Sequence, residues 1–293
     1  KKLLVCNIDK CRKILKNNII RSKELVDTKN FPDRLLKLDG TNFIIDKNTC
    51  SIFNEDIIKL KFNILKKQDP TYLLKAIKNK VELDNMIKAH VTDGVALTKF
   101  IYWIKNINKK EINEVQAQDK LEKFRKLSKN YLYPSFDTIA GSGKNGAIVH
   151  YRAKKGNSRI IKKKDIFLCD SGGQYKYGTT DVTRTLCFSK PNQNIKNIFT
   201  KVLKGHIAVA TSNLKKNDTG QKIDKEARKF LKKSNLDYSH GTGHGVGFFL
   251  NVHEGPQAIS KSNSIKIQKG MILSNEPGYY KKDKFGIRIE NLI

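Results

Sequence analysis

Acidic residues are scarce in this chain. Twenty-eight Asp and Glu stand against 58 Lys and Arg, which leaves a formal net charge of +30. Such an excess would suit a nucleic-acid or anionic membrane surface, but only nine of the basic residues are Arg, and the lysines are scattered. Groove readers rely on Arg for bidentate base contacts, so a solvated lysine surface is expected, with neither nucleic acid nor membrane as partner. No apolar run approaches the roughly 20 residues of a membrane span, and Lys1-Lys2-Leu3-Leu4-Val5-Cys6 is too short for a signal peptide's apolar region. Cysteine is also sparse: Cys6, Cys11, Cys50, Cys169 and Cys187 form an odd set without a CxxC pair. That excludes a disulfide framework and a zinc knuckle and favours a reducing, cytoplasmic compartment.

What remains is a globular chain of 293 residues, 38% hydrophobic, enough for one large domain or two ordinary ones. Residues 1 to 78 lack histidine and mix short helical patterns with one β-like run, Asn42 to Asp46. The break at Lys67-Gln-Asp-Pro-Thr71 marks a nearby boundary. From Glu82, the apolar positions Leu83, Ile87, Val91, Val95, Thr98 and Tyr102 predict a long amphipathic helix ending near Asn106. A second helix starts near Val115. A third runs from Asn194 to Leu214, with Ile195, Ile198, Phe199, Val202 and Ile207 as its stripe. Short β-like runs follow at 147–152, 165–170, 180–188, 271–276 and 286–293, several carrying an acidic residue. Such alternation predicts an α/β or α+β domain from about residue 79.

The chemistry lies in four blocks. In the first, the strand Ile166-Phe-Leu-Cys169 delivers Asp170, and Gly172, Gly173 and Gly178 fold the chain back so that Asp181 returns beside it. Paired carboxylates in a partly buried site repel unless a cation or a proton lies between them. The second block, His240-Gly-Thr-Gly-His244-Gly-Val-Gly247 followed by Asn251-Val-His253-Glu-Gly-Pro256, spaces imidazoles with glycines that let backbone approach a ligand. The third contains Glu276. In the fourth, Phe285-Gly-Ile-Arg288-Ile-Glu290, a period of two places Arg288 and Glu290 on one face. Four carboxylates with one imidazole, and no thiolate, suit two hard or borderline divalent ions such as Mn²⁺ better than a structural zinc.

Across residues 79 to 293 these blocks resemble the aminopeptidase P branch of the creatinase, prolidase and methionine aminopeptidase superfamily. Asp170-Ser-Gly-Gly-Gln-Tyr, Gly178-Thr-Thr-Asp-Val-Thr-Arg-Thr185, the His240 to Gly247 block and Asn251-Val-His-Glu-Gly-Pro256 carry the likeness, with Pro134-Ser-Phe-Asp-Thr-Ile139 and Asn145-Gly-Ala-Ile-Val-His-Tyr151 in support. The resemblance implies an α+β pita-bread catalytic domain at 79–293, C-terminally truncated, after part of a creatinase-N-like domain at 1–78. It implies two Mn²⁺ ions: Asp170 on one, His244 and Glu276 on the other, Asp181 and Glu290 bridging. A hydroxide between the metals would be the nucleophile, with Glu276 taking its proton. His150, His240 and His253 would position substrate, stabilise the intermediate or shuttle protons; Arg288 and Tyr280 would border the proline pocket; and Thr183 would hold a ligand carboxylate. The implied substrates are peptides with proline second, cleaved by a protein that is a homodimer when complete.

Prolidase and methionine aminopeptidase stay open as neighbouring readings, although the 14-residue gap between Glu276 and Glu290 and the leading domain favour aminopeptidase P. A pita-bread binding module without activity would lack a ligand, and all five are present. Gly141-Ser-Gly143-Lys144 fails as a phosphate loop because its spacing and the following Asn145 are wrong. His90, His206, Cys169, Cys187 and Trp103 read as structural.

Overall fold

The computed structural model describes residues 3–11, 21–107 and 111–293. The chain divides into two compact units, Lys1–Tyr72 and Leu73–Ile293. The division precedes the expected boundary at 78/79 because Ala76 is buried with Val209, Ile223 and Met271, and the Lys78 amide bonds to the Gly270 carbonyl.

In the first unit, β1 (Leu4–Cys6), α1 (Ile8–Cys11) and β2 (Leu25–Asp27) precede α2 (Phe31–Leu36). Then β3 (Asn42–Ile45), α3 (Ile52–Lys59) and β4 (Asn63–Lys66) form a β-α-β unit with parallel strands, closed over Leu35, Ile45, Ile58 and Phe62. Helix α4 (Pro70–Ala76) follows.

The second unit opens with α5 (Lys80–Asn106), which starts at a capping box between Asn79 and Glu82. Its buried face differs from the expected stripe. Ile87, Val91, Val95 and Tyr102 are exposed, and Met86, Ala89, Asp93, Ala96, Leu97, Phe100 and Ile104 are buried. Hydropathy misplaces the face because it carries small alanines and a charged Asp93 that α6 (Glu114–Arg125) neutralises: Arg125 Nε donates to Asp93 Oδ1 at 2.7 Å. These two helices cover the antiparallel strands β6 (Ile139–Ser142), β7 (Ile166–Ser171) and β10 (Val182–Cys187) through Phe100, Ile104, Leu121, Phe167 and Leu186. The hairpin side carries β5 (Tyr131–Pro134), β8 (Gly173–Tyr175) and β9 (Gly178–Thr179) as a second sheet. Residues 147–152, expected as a strand, form no strand; a 3-10 helix at Gly143–Ala147 runs into turns, and Gly141 packs too closely on Gly146 for a side chain.

Helices α7 (Gln193–Ala210) and α8 (Gly220–Lys232) pack on β7 and β15 (Phe285–Arg288) through Ile198, Val202, Leu231 and Ile287. Helix α7 buries Gly205 and Val209 where Ile207 was expected, and Ile207 faces out. Helix α8 was not anticipated, although Ile223, Ala227 and Leu231 recur every four residues on its buried face. Short pairs complete the unit: β11 (Gly243–His244) with β12 (Ala258–Ile259), β13 (Ser274–Asn275) with β16 (Asn291–Leu292), and β14 (Gly278–Lys281) with β15.

Candidate metal centre and active site

Strand register brings distant acids together. Thr183 lies opposite Asp170 across the β10–β7 ladder, and Ile139 flanks Asp170 on the other side. Asp181 precedes Thr183 by the two residues that keep a strand's side chains on one face. The amide of Glu290 donates to the Thr183 carbonyl, and the Thr183 hydroxyl donates to Glu290 Oε2 at 2.6 Å. Asp181, His244 and Glu290 thereby offer ligand atoms within 4.8 Å of one another. His244 Nε2 lies 3.4 Å from Asp181 Oδ2 and 3.3 Å from Glu276 Oε1. Asp170 stands slightly apart, drawn by Arg288 Nη2 to 2.6 Å.

All five acid and imidazole candidates line one cavity of about 880 Å³, together with His150, His240, His253 and Arg288. Tyr280 is not on its wall but joins through hydrogen bonds. Arg288 Nη1 donates to the Tyr280 hydroxyl at 2.6 Å, and that hydroxyl meets His240 Nε2 at 2.8 Å. Because His240 Nδ1 faces the Gly241 carbonyl at 2.7 Å, Nδ1 carries the proton and Nε2 accepts from Tyr280. Burial, then the Arg288 charge, push His240 down to about 4, so its imidazole is neutral. His253 stacks on His244 with ring centroids 3.8 Å apart and is also pushed down, by desolvation and then by His244. His150 is exposed on the cavity wall.

The matching family is metallopeptidase family M24, over residues 84–293. The chain belongs to it. It is 52% identical over 225 residues to a probable Xaa-Pro aminopeptidase P of Paracoccidioides brasiliensis, covering 75% of this chain and 36% of that protein. With the probable Xaa-Pro aminopeptidase P of Laccaria bicolor it shares 46% over 269 residues, 90% of this chain and 42% of the relative. The chain therefore spans well under half the length of these curated relatives. Among solved structures, the X-prolyl aminopeptidase of Caenorhabditis elegans, described as a cytosolic enzyme with a di-nuclear active site, superimposes with a TM-score of 0.84 at 32% identity, covering 97% of this chain and 47% of its own. A recombinant prolidase from Thermococcus sibiricus gives 0.81 at 26%, covering 98% and 78%. The fold of this M24 chain is the α+β pita-bread fold.

The residues present fit a metal centre. One oxygen of Asp170 is buried without a hydrogen-bond partner. Burial, then repulsion by neighbouring acids (Asp170 and Glu276 for Asp181; Asp181, Glu276 and Asp170 for Glu290), pushes both carboxyls well above the usual range, the state of a cluster that a cation would relieve. His244 turns Nδ1 to the Gly245 carbonyl at 3.0 Å, which leaves Nε2 bare toward the carboxylates, as in a ligating histidine. Four supports were not read from the sequence. Ser274 Oγ accepts from the His244 amide and donates to Glu276 Oε1, each at 2.9 Å; Arg184 Nη1 holds the Glu290 carbonyl at 2.7 Å; and Arg125 Nη2 braces Ser171, next to Asp170, at 3.0 Å. The last, Gln174, donates from Nε2 to the Leu250 carbonyl at 2.6 Å and pins the loop that leads to His253. Ser and Gln at such spacing carry no periodic signal, so only the fold reveals them.

Proposed function

We propose that this chain carries the catalytic domain of a dinuclear-metal aminopeptidase that hydrolyses the bond between an N-terminal residue and a following proline. The observation that carries the reading is the set of buried Asp170, Asp181 and Glu290 with half-buried His244 and Glu276, all facing one cavity beside the Arg288–Tyr280–His240 chain. Close sequence identity to proteins named probable Xaa-Pro aminopeptidase P supports the substrate class. Asp170 would hold one ion, His244 and Glu276 the other, and Asp181 and Glu290 both, with Mn²⁺ favoured by the oxygen-rich donor set. Such ions supply Lewis acidity, lowering the pKa of water and polarising a carbonyl.

The chain's own groups do the remaining work. Glu276, its Oε1 held by Ser274, takes the proton of the attacking water. His240, neutral and oriented by Tyr280 and Gly241, positions the substrate beside Arg288. His150 and His253, on the cavity wall, stabilise the tetrahedral intermediate and relay the proton that Glu276 took to the leaving proline nitrogen. That nitrogen is a tertiary amide with no N–H to donate, so recognition rests on shape and on the carbonyls. The structural likeness to prolidases favours one competing reading, restriction to dipeptides. Assaying Xaa-Pro dipeptides beside Xaa-Pro-Xaa tripeptides with Mn²⁺ decides: tripeptide cleavage is expected, and activity confined to dipeptides would replace this proposal with prolidase.

A further inference from the structure

Beneath the His240–His244 loop lies a buried charged cluster that none of these steps uses. Asp224 and Arg228, one turn apart on α8, are 1% and 2% exposed. The guanidinium directs four hydrogen bonds: Nε to Asp224 Oδ2 at 2.8 Å, Nη1 to Asp237 Oδ1 and to the Tyr238 carbonyl at 2.7 Å each, and Nη2 to the His240 carbonyl at 2.6 Å. Its central carbon sits 3.9 Å from the Tyr238 ring centroid. The other oxygen of Asp224 accepts from the Thr242 hydroxyl at 2.6 Å, which is also bonded to the Tyr238 hydroxyl. The Thr242 carbonyl in turn accepts the Glu276 amide at 2.8 Å.

The direction of these bonds matters. A buried ion pair is weak evidence for stability, since packed apolar residues of the same volume do as well or better. Here two of the guanidinium's bonds end on the Tyr238 and His240 carbonyls, and Asp224 takes the Thr242 hydroxyl, along a segment that carries glycines at 241, 243 and 245. A side chain cannot stiffen that loop at 243, because a Cβ there would meet the Ser274 carbonyl oxygen at 1.9 Å. Its orientation must come from outside, and a planar fork with fixed donor directions supplies it.

On the reading of this cavity as a metal centre, we infer that Arg228, Asp224 and Thr242 form a positioning unit for three site residues. Arg228 fixes the His240 carbonyl, Thr242 fixes the turn two residues before His244, and the Thr242 carbonyl fixes Glu276. The unit touches neither metal nor substrate; it sets the aim of groups that do.

The test uses the intact protein and the variants Thr242→Val, Thr242→Ser, Arg228→Lys and Arg228→Met. Thr242→Val keeps the side chain's shape and leaves the Arg228–Asp224 pair in place, so it keeps the test decisive if Arg228→Met fails to fold. Calorimetric titration of Mn²⁺ into metal-free protein, thermal unfolding, and kcat and KM on a Xaa-Pro-Xaa peptide are compared. We expect Thr242→Val and Arg228→Lys to bind Mn²⁺ roughly 10- to 100-fold more weakly and to lose kcat while KM changes little, with Thr242→Ser restoring both. Folded Thr242→Val and Arg228→Lys with wild-type Mn²⁺ affinity and wild-type kcat would overturn the proposal and leave the cluster merely structural. If wild type binds Mn²⁺ but cleaves no Xaa-Pro peptide, the proposed function fails while the titration still decides this inference.

Discussion

Substituting Asp181→Asn should stabilise the metal-free protein while removing its response to metal. The ligand atoms of Asp181, His244 and Glu290 lie within 4.8 Å of one another, with Asp181 3% and Glu290 1% exposed. Two carboxylate charges at that separation repel by about 3 kcal/mol at an effective dielectric of about 20. Burial first, then Asp170 and Glu276, raise the Asp181 carboxyl well above its ordinary range, so near neutral pH the metal-free site either bears the repulsion or binds protons that the unfolded chain has released. Relief of about 2–3 kcal/mol follows for Asp181→Asn at pH 7.5, or roughly 6 °C in Tm for a chain of this size.

The pH dependence has a definite sign. A carboxyl whose folded pKa is raised holds its proton in the folded state after the unfolded chain has lost it near pH 4. Metal-free wild type is therefore most stable, in respect of this group, below about pH 4 and loses stability as pH rises. The advantage of Asp181→Asn grows from pH 5 to pH 7.5. Mn²⁺ reverses the ranking once it is in sufficient excess, because a ligand at about 1,000 times its Kd stabilises the form that binds it by about 4.1 kcal/mol. Denaturant unfolding at both pH values, with chelator and with Mn²⁺, measures all four corners. A metal-free variant no more stable than wild type at pH 7.5, or an equal Mn²⁺ response in both proteins, would refute the electrostatic account.

Arg125→Met leaves Asp93 charged and buried, and should cost about 3–5 kcal/mol; urea midpoints are expected to recover most of that loss in the double variant Asp93→Leu with Arg125→Met. Gly243→Ala drives a methyl against the Ser274 carbonyl oxygen, and circular dichroism should show a folded protein whose Mn²⁺ affinity, followed by titration, has fallen at least tenfold as the His244 loop moves. His240, pushed to about 4 by burial and then Arg288, stays neutral in the fold while the unfolded chain protonates near 6.5. Its contribution of about 3 kcal/mol is complete above pH 6.5 and lost as pH falls toward 4, so His240→Gln should flatten the drop in unfolding free energy between pH 7 and pH 5.

How much of this was legible beforehand follows from how local each signal is. Asp170, Asp181, His240 and His244 stand in glycine-punctuated blocks whose turn chemistry is local, and the structure brings them to one cavity. Residues 147–152 looked like a strand because Ile148, Val149 and Tyr151 are β-formers, yet the close approach of Gly141 to Gly146 folds the chain into a 3-10 turn. The α5 face was misread for a tertiary reason: Asp93 is buried only because Arg125, 32 residues away, pairs with it. Helix α8 was missed although its stripe was regular, since Asp224 and Arg228 stand among its buried positions and look like surface charge. In both helices a buried charge, paired by a partner remote in sequence or within the same helix, defeats a reading that equates charge with exposure.

On the proposed reading, the charge of the cavity wall bears on why one ion would not suffice. Asp170, Asp181, Glu276 and Glu290 face the cavity with Arg288 as their guanidinium neighbour, bonded to Asp170. Three negative charges stay uncompensated when all four acids are ionised. A single divalent ion leaves the pocket negative, hostile to the charge that develops on a carbonyl oxygen under attack. Two divalent ions leave it positive by one unit, the sign that stabilises such an oxygen in a site of low dielectric. Arg288 pairs with Asp170 at 2.6 Å, and with the ions bound it would add to that positive field.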